Sequence, residues 1–227
     1  SVTGVQTCAL PISDLQHWLD RQKFSPANAR NFRRVLSNFF NWSIRRGYRH
    51  QGDNPAENID VGRVQGSETE IFSADELRRL LQAADSDFRC LLAIGGLAGL
   101  RPNECQRLDW SDVDLANRTI RVGSSQAKTR SRRIVPICDA LASWLAPHAK
   151  PSGPLWTGQG DRYSKIQRDI AEAAGVQWKF DGLRHSYATH RLTLTKNEGQ
   201  VAAELGNSPD VVHKHYRALS SESAAKA

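Results

Sequence analysis

Long apolar runs are absent from this 227-residue sequence. The Gly-rich apolar stretch at residues 91–100 is far shorter than the ~20 residues that a membrane-spanning helix needs, so we expect no membrane insertion. The four cysteines include no Cys-x-x-Cys pair, and no histidine lies at metal-ligand spacing from them. We therefore expect neither metal nor cofactor, and we interpret Cys90, Cys105 and Cys138 as small buried side chains in a reducing cytoplasm.

We do not interpret the first residues as a secretory signal. Residues 1–12, SVTGVQTCALPI, lack the basic beginning and the long apolar core that such a signal requires. They resemble the translation of a common sequencing-adapter oligonucleotide. We therefore interpret residues 1–12 as a non-native segment and expect the natural N-terminus to be missing.

Positive charge is concentrated near the N-terminus. The formal net charge is +7, and residues 13–50 contain eight basic side chains against only Asp14 and Asp20. Apolar residues at helical spacing between residues 26 and 46 predict one amphipathic helix, with most of its arginines on other faces. Such an asymmetry suits a phosphate backbone, so we expect four arginines of this helix to bind DNA: Arg30, Arg33, Arg34 and Arg45.

The remaining chain predicts a mainly α fold with a small antiparallel β-sheet, an α+β class. Residues 61–70 are polar and Gly-rich and indicate a linker, and Ser73 with Glu76 forms a capping box that begins a helix. The β-branched runs 119–122 and 133–137 predict two strands of a hairpin. Further helices are predicted at residues 85–100, 139–146, 162–174, 182–194 and 200–205, and a last one opens at Ser208 and Pro209.

Four sequence blocks contain the residues that a metal-free DNA strand-transfer enzyme needs. Arg101 lies in GLAGLRPNE, Lys128 in QAKTRSRR, Arg184 in DGLRHSYATH and Tyr216 in LGNSPDVVHKHY. In order, spacing and flanking residues these blocks resemble the catalytic domain of the tyrosine recombinases, or phage integrases, from about residue 70 to residue 219. The resemblance implies a catalytic domain at 71–222 and a tail at 223–227, preceded at 13–60 by part of a helical core-binding domain that has lost at least one helix.

The resemblance also implies a role for each residue. Arg101 and Arg184 would hold the scissile phosphate, because guanidinium groups offer paired donors and keep their charge. Tyr216 would attack phosphorus and form a 3′-phosphotyrosyl bond, while Lys128 would give a proton to the leaving 5′ oxygen. Arg130 and Arg132, in the same basic run as Lys128, are expected to bind phosphates.

Two positions differ from the family pattern. Asp181 and Asn207 stand where the family usually has histidine. Asp181 is predicted to accept the tyrosine proton or to orient Arg184, and Asn207 to be a neutral donor to the phosphate. Either the site is retuned or the enzyme is impaired. His185, which follows Arg184, is interpreted as a packing or orienting residue.

These observations predict a site-specific recombinase that breaks and rejoins double-stranded DNA. It would act as a homotetramer on two duplexes, in the cytoplasm and associated with the nucleoid. Three alternatives remain open at this point: a type IB topoisomerase, a catalytically silent DNA-binding protein on the same fold, and a helical scaffold whose basic face binds RNA.

Overall fold

The computed structural model of the protein describes residues 12–62, 69–123, 132–158 and 162–216. Lys128 and Arg130 therefore lie outside the described residues, as does nearly all of the predicted non-native segment. The chain divides into two compact units, Ser1–Ser67 and Glu68–Ala227. No described helix has both the length and the apolar character needed to cross a membrane.

The first unit contains two helices, α1 (Ile12–Arg21) and α2 (Pro26–Arg45). Ser25 begins α2, because its Oγ accepts a hydrogen bond from the Asn28 N–H, and Pro26 occupies the first position, where a helix needs no N–H donor. The core of this unit is small and consists of Leu15, Leu19, Ala29, Phe40, Ala56 and Ile59.

The apolar residues predicted to share one face of α2 lie on two faces. Phe40 is buried in the core, whereas Phe32, Val35 and Phe39 are exposed. One shorter helix and the segment around Ile59 cover only the face that carries Phe40. Phe32 is partly sheltered, because its ring stacks on that of Phe24 with centroids 4.5 Å apart.

The arginines of α2 fall into two environments. Arg30, Arg34 and Arg45 are exposed, which suits a role in phosphate binding. Arg33 is only partly exposed, and its Nη1 donates a hydrogen bond to the Ile59 carbonyl at 3.2 Å. Arg33 therefore connects α2 to the segment that closes the small core.

The second unit is built mainly from helices, with a small sheet at residues 113–136. Its first helices are α3 (Ala74–Ala83), α4 (Ser86–Leu97) and the short α5 (Pro102–Cys105). The later helices are α6 (Asp139–Leu145), α7 (Arg162–Ala174), α8 (Gly182–Thr195), α9 (Glu198–Leu205) and α10 (Pro209–Tyr216). Short 3₁₀ helices lie at Trp110–Asp112 and Ala146–His148.

The sheet has three antiparallel strands in the order β1 (Val113–Asp114), β2 (Thr119–Val122) and β3 (Arg133–Pro136). Ile120 pairs with both Val113 and Val135, and Val122 pairs with Arg133. The predicted fold class is confirmed. Strand β1 was not predicted, because two residues are too few to show an alternating pattern.

Helix α4 lies at the centre of the second unit. Almost all of its side chains from Phe88 to Ile94 are buried, and Gly95 and Gly96 allow close packing against Leu183 of α8 and Leu77 of α3. Gly99 then takes a positive φ of 68°, and any side chain there would collide with Tyr187. This turn positions the segment that follows, which contains Arg101.

The interpretation of the cysteines is confirmed in part. Cys90 and Cys105 are buried, but Cys138 is exposed. Cys138 precedes α6 at the N-cap position, where the chain turns at the protein surface. The expectation that Cys138 is a buried core residue was therefore wrong.

The two environments of the α2 arginines give a first prediction. Replacing Arg34 with Ala should leave folding stability unchanged and reduce the slope of log binding constant against log salt by about 0.9, the effect of one lost phosphate contact. Replacing Arg33 with Ala should instead lower the free energy of unfolding by about 1 kcal/mol, because the hydrogen bond to Ile59 is lost. Salt titration of DNA binding and urea denaturation measure the two effects. An unchanged slope for Arg34→Ala would remove that side chain from the DNA interface.

Candidate active site

Arg101 is fixed at the start of α5. It takes the N-cap position before Pro102, and its N–H donates to Glu104 Oε2 at 2.9 Å. Its Nη1 donates to the other oxygen of Glu104 at 3.2 Å. A quarter of the Arg101 side chain remains exposed, so this side chain is anchored by Glu104 and is still partly accessible.

Arg184 lies in the first turn of α8 and is buried. Its Nη1 donates to the Gly99 carbonyl at 2.6 Å, and its Nη2 donates to the Leu205 carbonyl at 2.8 Å. Burial and the neighbouring charge of Arg101 lower the pKa of Arg184 to about 10, so the side chain remains charged at neutral pH. Arg184 therefore joins the turn after α4 to the end of α9.

Asn207 connects the two arginines. Gly206, with a φ of 65°, ends α9, and the next residue places its Oδ1 2.8 Å from Arg101 Nη2 and 3.1 Å from Arg184 Nη2. A guanidinium group can only donate, so the amide oxygen must face both arginines. The predicted role of Asn207 as a donor to phosphate belongs to its amide nitrogen and remains a prediction.

A buried ion pair supports this arrangement and was missed in the sequence. The Glu104 carboxylate, 1% exposed, accepts hydrogen bonds from Arg133 Nη1 and Nη2 at 3.0 and 2.6 Å. Arg133 lies on β3, and its Nε donates to the Glu204 carbonyl at 2.8 Å. Burial raises the pKa of Glu104, but the hydrogen bonds and charges of Arg133 and Arg101 hold it below its ordinary value. The only sequence signal was the Arg-x-x-Glu spacing of Arg101 and Glu104.

A second buried carboxylate, that of Glu204, attaches α9 to α8. It accepts hydrogen bonds from Tyr187 Oη at 2.7 Å and from Arg191 at 2.7 and 2.9 Å, with a further bond from Gln200. These donors hold the pKa of Glu204 below its ordinary value although burial acts in the opposite direction. The end of α9 is thus fixed both by side chains of α8 and by Arg133.

Tyr216 is the last described residue, at the end of α10, and only 4% of its surface is exposed. Its ring packs in an apolar cluster with Tyr187, Val201 and Leu205. Its Oη lies 2.9 Å from Nδ1 of His185, which follows Arg184 on α8. Burial raises the pKa of Tyr216, Asp181 raises it further, and the two arginines oppose this shift.

Asp181 occupies an unusual backbone position. It precedes α8 with a left-handed φ of 50° and is exposed. Its carbonyl accepts the first hydrogen bond of α8, from the His185 N–H at 3.0 Å. The described hydrogen bond of the Tyr216 hydroxyl is to His185, whereas Asp181 influences that hydroxyl through its charge. Its predicted role as proton acceptor therefore remains a prediction.

The structure brings together four of the six predicted catalytic residues. Arg101, Arg184 and Asn207 share one hydrogen-bonded centre. Tyr216 is hydrogen-bonded to His185, the residue that follows Arg184. Arg132 is exposed beside β3, as a phosphate-binding side chain should be. No group of three His, Cys, Asp or Glu side chains suited to a metal occurs in the part of the chain that the structure describes.

Comparison with known proteins identifies the family. The phage integrase family model matches residues 70–222. The tyrosine recombinase XerD of Xanthomonas axonopodis pv. citri is 26% identical over 236 residues, which cover 90% of this chain and 75% of the relative. The tyrosine recombinase XerC of Actinobacillus pleuropneumoniae is 29% identical over 212 residues, 85% of this chain and 68% of the relative.

Solved structures show the same fold. A lambda integrase dimer bound to a COC′ core site matches with a TM-score of 0.71 at 17% identity, covering 93% of this chain and 82% of that one. The Tn1549 transposon integrase in complex with circular intermediate DNA matches with a TM-score of 0.67 at 17% identity, covering 96% and 84%. The chain belongs to the phage integrase family, and its enzyme class is that of the tyrosine-type site-specific DNA recombinases.

The buried pair of Glu104 and Arg133 gives a second prediction. Glu104→Gln should lower the free energy of unfolding at pH 7 by about 3–5 kcal/mol, because buried guanidinium charge is left without its counter-ion. The folded-state pKa of Glu104 is depressed, so its contribution is present above the ordinary carboxyl pKa and is lost as the pH falls through the folded-state pKa. The difference between variant and wild type should therefore shrink in acid. Urea denaturation at several pH values measures it.

The matched control for Glu104→Gln is Glu172→Gln, an exposed carboxylate on α7. This surface change should stay within about 0.5 kcal/mol of wild type. Equal effects of the two substitutions would contradict the structural importance of the buried pair.

Asn207 gives a third prediction, because Asp has the same shape and adds one negative charge. Asn207→Asp should raise the melting temperature by pairing with both arginines, and it should weaken DNA binding by neutralising charge that the phosphate needs. Asn207→Ala should lower the melting temperature, because it removes the shared acceptor without adding charge. Thermal melting and binding at fixed salt separate the effects. An Asp variant that binds DNA as tightly as wild type would show that the phosphate does not meet these arginines.

Proposed function

We propose that this chain cleaves and rejoins DNA at specific sites through a 3′-phosphotyrosyl intermediate formed by Tyr216. The observation that carries the proposal is the convergence of Arg101 and Arg184 on one oxygen of Asn207, with His185, the next residue after Arg184, hydrogen-bonded to Tyr216. Two donors aimed at one oxygen are the arrangement that binds a non-bridging phosphate oxygen. Membership of the phage integrase family supports the same reaction.

In this proposal the two guanidinium groups stabilise negative charge on the phosphate and do not transfer protons. The Arg101 side chain is partly exposed and is available to a phosphate. Arg184 is held by two backbone carbonyls, so binding of a phosphate would require little reorganisation of its side chain. Donors fixed before the reaction stabilise the charge that develops on phosphorus oxygens in the transition state.

Lys128 completes the chemistry in this proposal. The sequence resemblance assigns Lys128 as the general acid. This residue lies between β2 and β3 in the sequence, outside the described residues. Lys128 would give a proton to the 5′ oxygen as the P–O bond breaks. Asp181 and Asn207 belong to a retuned site, because Asn207 makes contacts to both arginines that a damaged position would not be expected to keep.

The partner is double-stranded DNA, and the active assembly is a homotetramer that holds two duplexes. The exposed arginines of α2 and Arg132 would contact phosphates outside the reacting centre. Solved integrases of the same fold are described as dimers or complexes bound to DNA, which supports the partner. The site of action is the cytoplasm, in association with the nucleoid.

The proposal is tested with a library of nicked duplexes that have random sequence on both sides of the nick. Cleavage near the nick releases a short strand, so the protein remains covalently attached to the DNA. Wild type should give adducts that survive denaturation, and Tyr216→Phe should give none while it still binds DNA. Tyr187→Phe, which removes a hydroxyl from a neighbouring buried ring, should retain adduct formation. Adducts formed by Tyr216→Phe would show that another residue is the nucleophile.

A further inference from the structure

We propose that His185 is a catalytic residue: its Nδ1 takes the proton from Tyr216 Oη during DNA cleavage and returns it during rejoining. This inference rests on the proposed function of Tyr216 as nucleophile. It assigns to His185 a role that the sequence interpretation gave to Asp181.

The geometry is that of a nucleophile and its base. Nδ1 and Oη are 2.9 Å apart, and the two rings are tilted by 46° with centroids 5.5 Å apart. This separation is within the range over which a side chain transfers a proton directly. A neutral imidazole that keeps its proton on Nε2 accepts the Oη–H hydrogen bond at Nδ1, which is the polarity that proton removal requires.

The surroundings of Tyr216 explain why a base is needed. The hydroxyl is buried, and the negative charge of Asp181 acts against its ionisation, while the charges of Arg101 and Arg184 act in its favour. The result is a pKa above that of an ordinary tyrosine, so the nucleophile is protonated at neutral pH. Attack by Oη therefore has to be coupled to removal of its proton.

His185 is better placed for this step than Asp181. Its ring contacts the nucleophilic oxygen, and its backbone lies within α8, one residue after Arg184. Asp181 lies outside the helix, exposed and in a left-handed conformation. Imidazole is also a stronger base than a carboxylate and titrates near neutral pH.

The bonds and protons balance in both directions. A lone pair of Oη forms the O–P bond, the P–O5′ bond breaks, and its electron pair goes to O5′. The Oη proton goes to His185 Nδ1 and gives an imidazolium, while O5′ takes its proton from the proposed acid Lys128. Rejoining reverses each transfer, so no external oxidant, reductant or energy source is required.

His185→Asn and His185→Ala separate proton transfer from positioning. The Asn side chain places an amide oxygen near the location of Nδ1, so it accepts the hydrogen bond but cannot take the proton. The Ala variant removes both functions. His148→Asn, on the 3₁₀ helix that follows α6, is the matched control for a histidine outside the tyrosine cluster. Melting temperature and DNA binding report whether each variant is folded.

Cleavage is measured in single-turnover reactions on the best duplex recovered from the nicked library. Both His185 variants should cleave about 10²–10⁴-fold more slowly than wild type, the range for loss of a general base, with unchanged DNA binding. His148→Asn should cleave at the wild-type rate. Added imidazole should partly restore His185→Ala, because the small base can enter the space left by the side chain.

A second substrate distinguishes removal of the proton from Tyr216 from donation of a proton to the leaving O5′. Replacing O5′ with sulfur gives a leaving group that needs no proton, because thiols are much more acidic than alcohols. This substrate should restore cleavage by Lys128→Ala and should not restore cleavage by His185→Asn.

Several outcomes would overturn the inference while leaving the proposed function intact. Wild-type cleavage by His185→Asn would reduce His185 to a positioning residue. Faster cleavage by His185→Ala would show that the hydrogen bond restrains Tyr216. A larger loss in Asp181→Asn than in His185→Asn would assign the proton to Asp181. Absence of covalent adducts in wild type, in contrast, would refute the proposed function itself.

Discussion

The centre of the second unit holds several positively charged side chains close together, and it needs neighbouring groups that offset their repulsion. Arg101, Arg133 and Arg184 bring three guanidinium groups to one region of the second unit, where burial strengthens their mutual repulsion. Glu104 compensates for two of them directly, because its carboxylate contacts both Arg101 and Arg133. The third is held by neutral oxygens. Removing the carboxylate would leave buried charge uncompensated, so the positions of Arg101 and Arg133 depend on this one acidic side chain.

Neutral acceptors preserve the charge that the reaction needs. Arg184 is bound by the carbonyls of Gly99 and Leu205 and by the amide oxygen of Asn207, none of which carries a formal charge. The carbonyl at the end of α9 also presents the negative end of the helix dipole. Three guanidinium groups therefore share one directly bonded carboxylate, that of Glu104, so positive charge predominates among these hydrogen-bonded groups. In the proposed reaction, this positive charge would bind the phosphodiester and would stabilise more strongly a transition state that carries greater negative charge.

The sequence predicted the local structure well and the contacts between distant residues poorly. The capping box at Ser73 and the break at Gly99 have local signals, so α3 and the position of Arg101 could be predicted. Arg133 was predicted only as the first residue of a strand, and its pairing with Glu104 has no local signal because the two residues are 29 positions apart. The left-handed conformation of Asp181 has only a weak signal, the Asp-Gly pair at residues 181 and 182, because this pair marks a turn without fixing which residue takes a positive φ.

The two departures from the family pattern have a common physical consequence. With Asp at position 181 and Asn at 207, neither position adds a titrating positive charge to the phosphate site, so among the described residues the positive charge at this centre comes from arginine. Burial lowers the pKa of Arg184 to about 10, which still leaves it charged throughout the neutral range. In the proposed site, the arginines would therefore bind the phosphate, and other residues would transfer the protons. In the proposed mechanism the proton of Tyr216 passes to His185, which contacts its oxygen, while the arginines keep the charge that would hold the DNA.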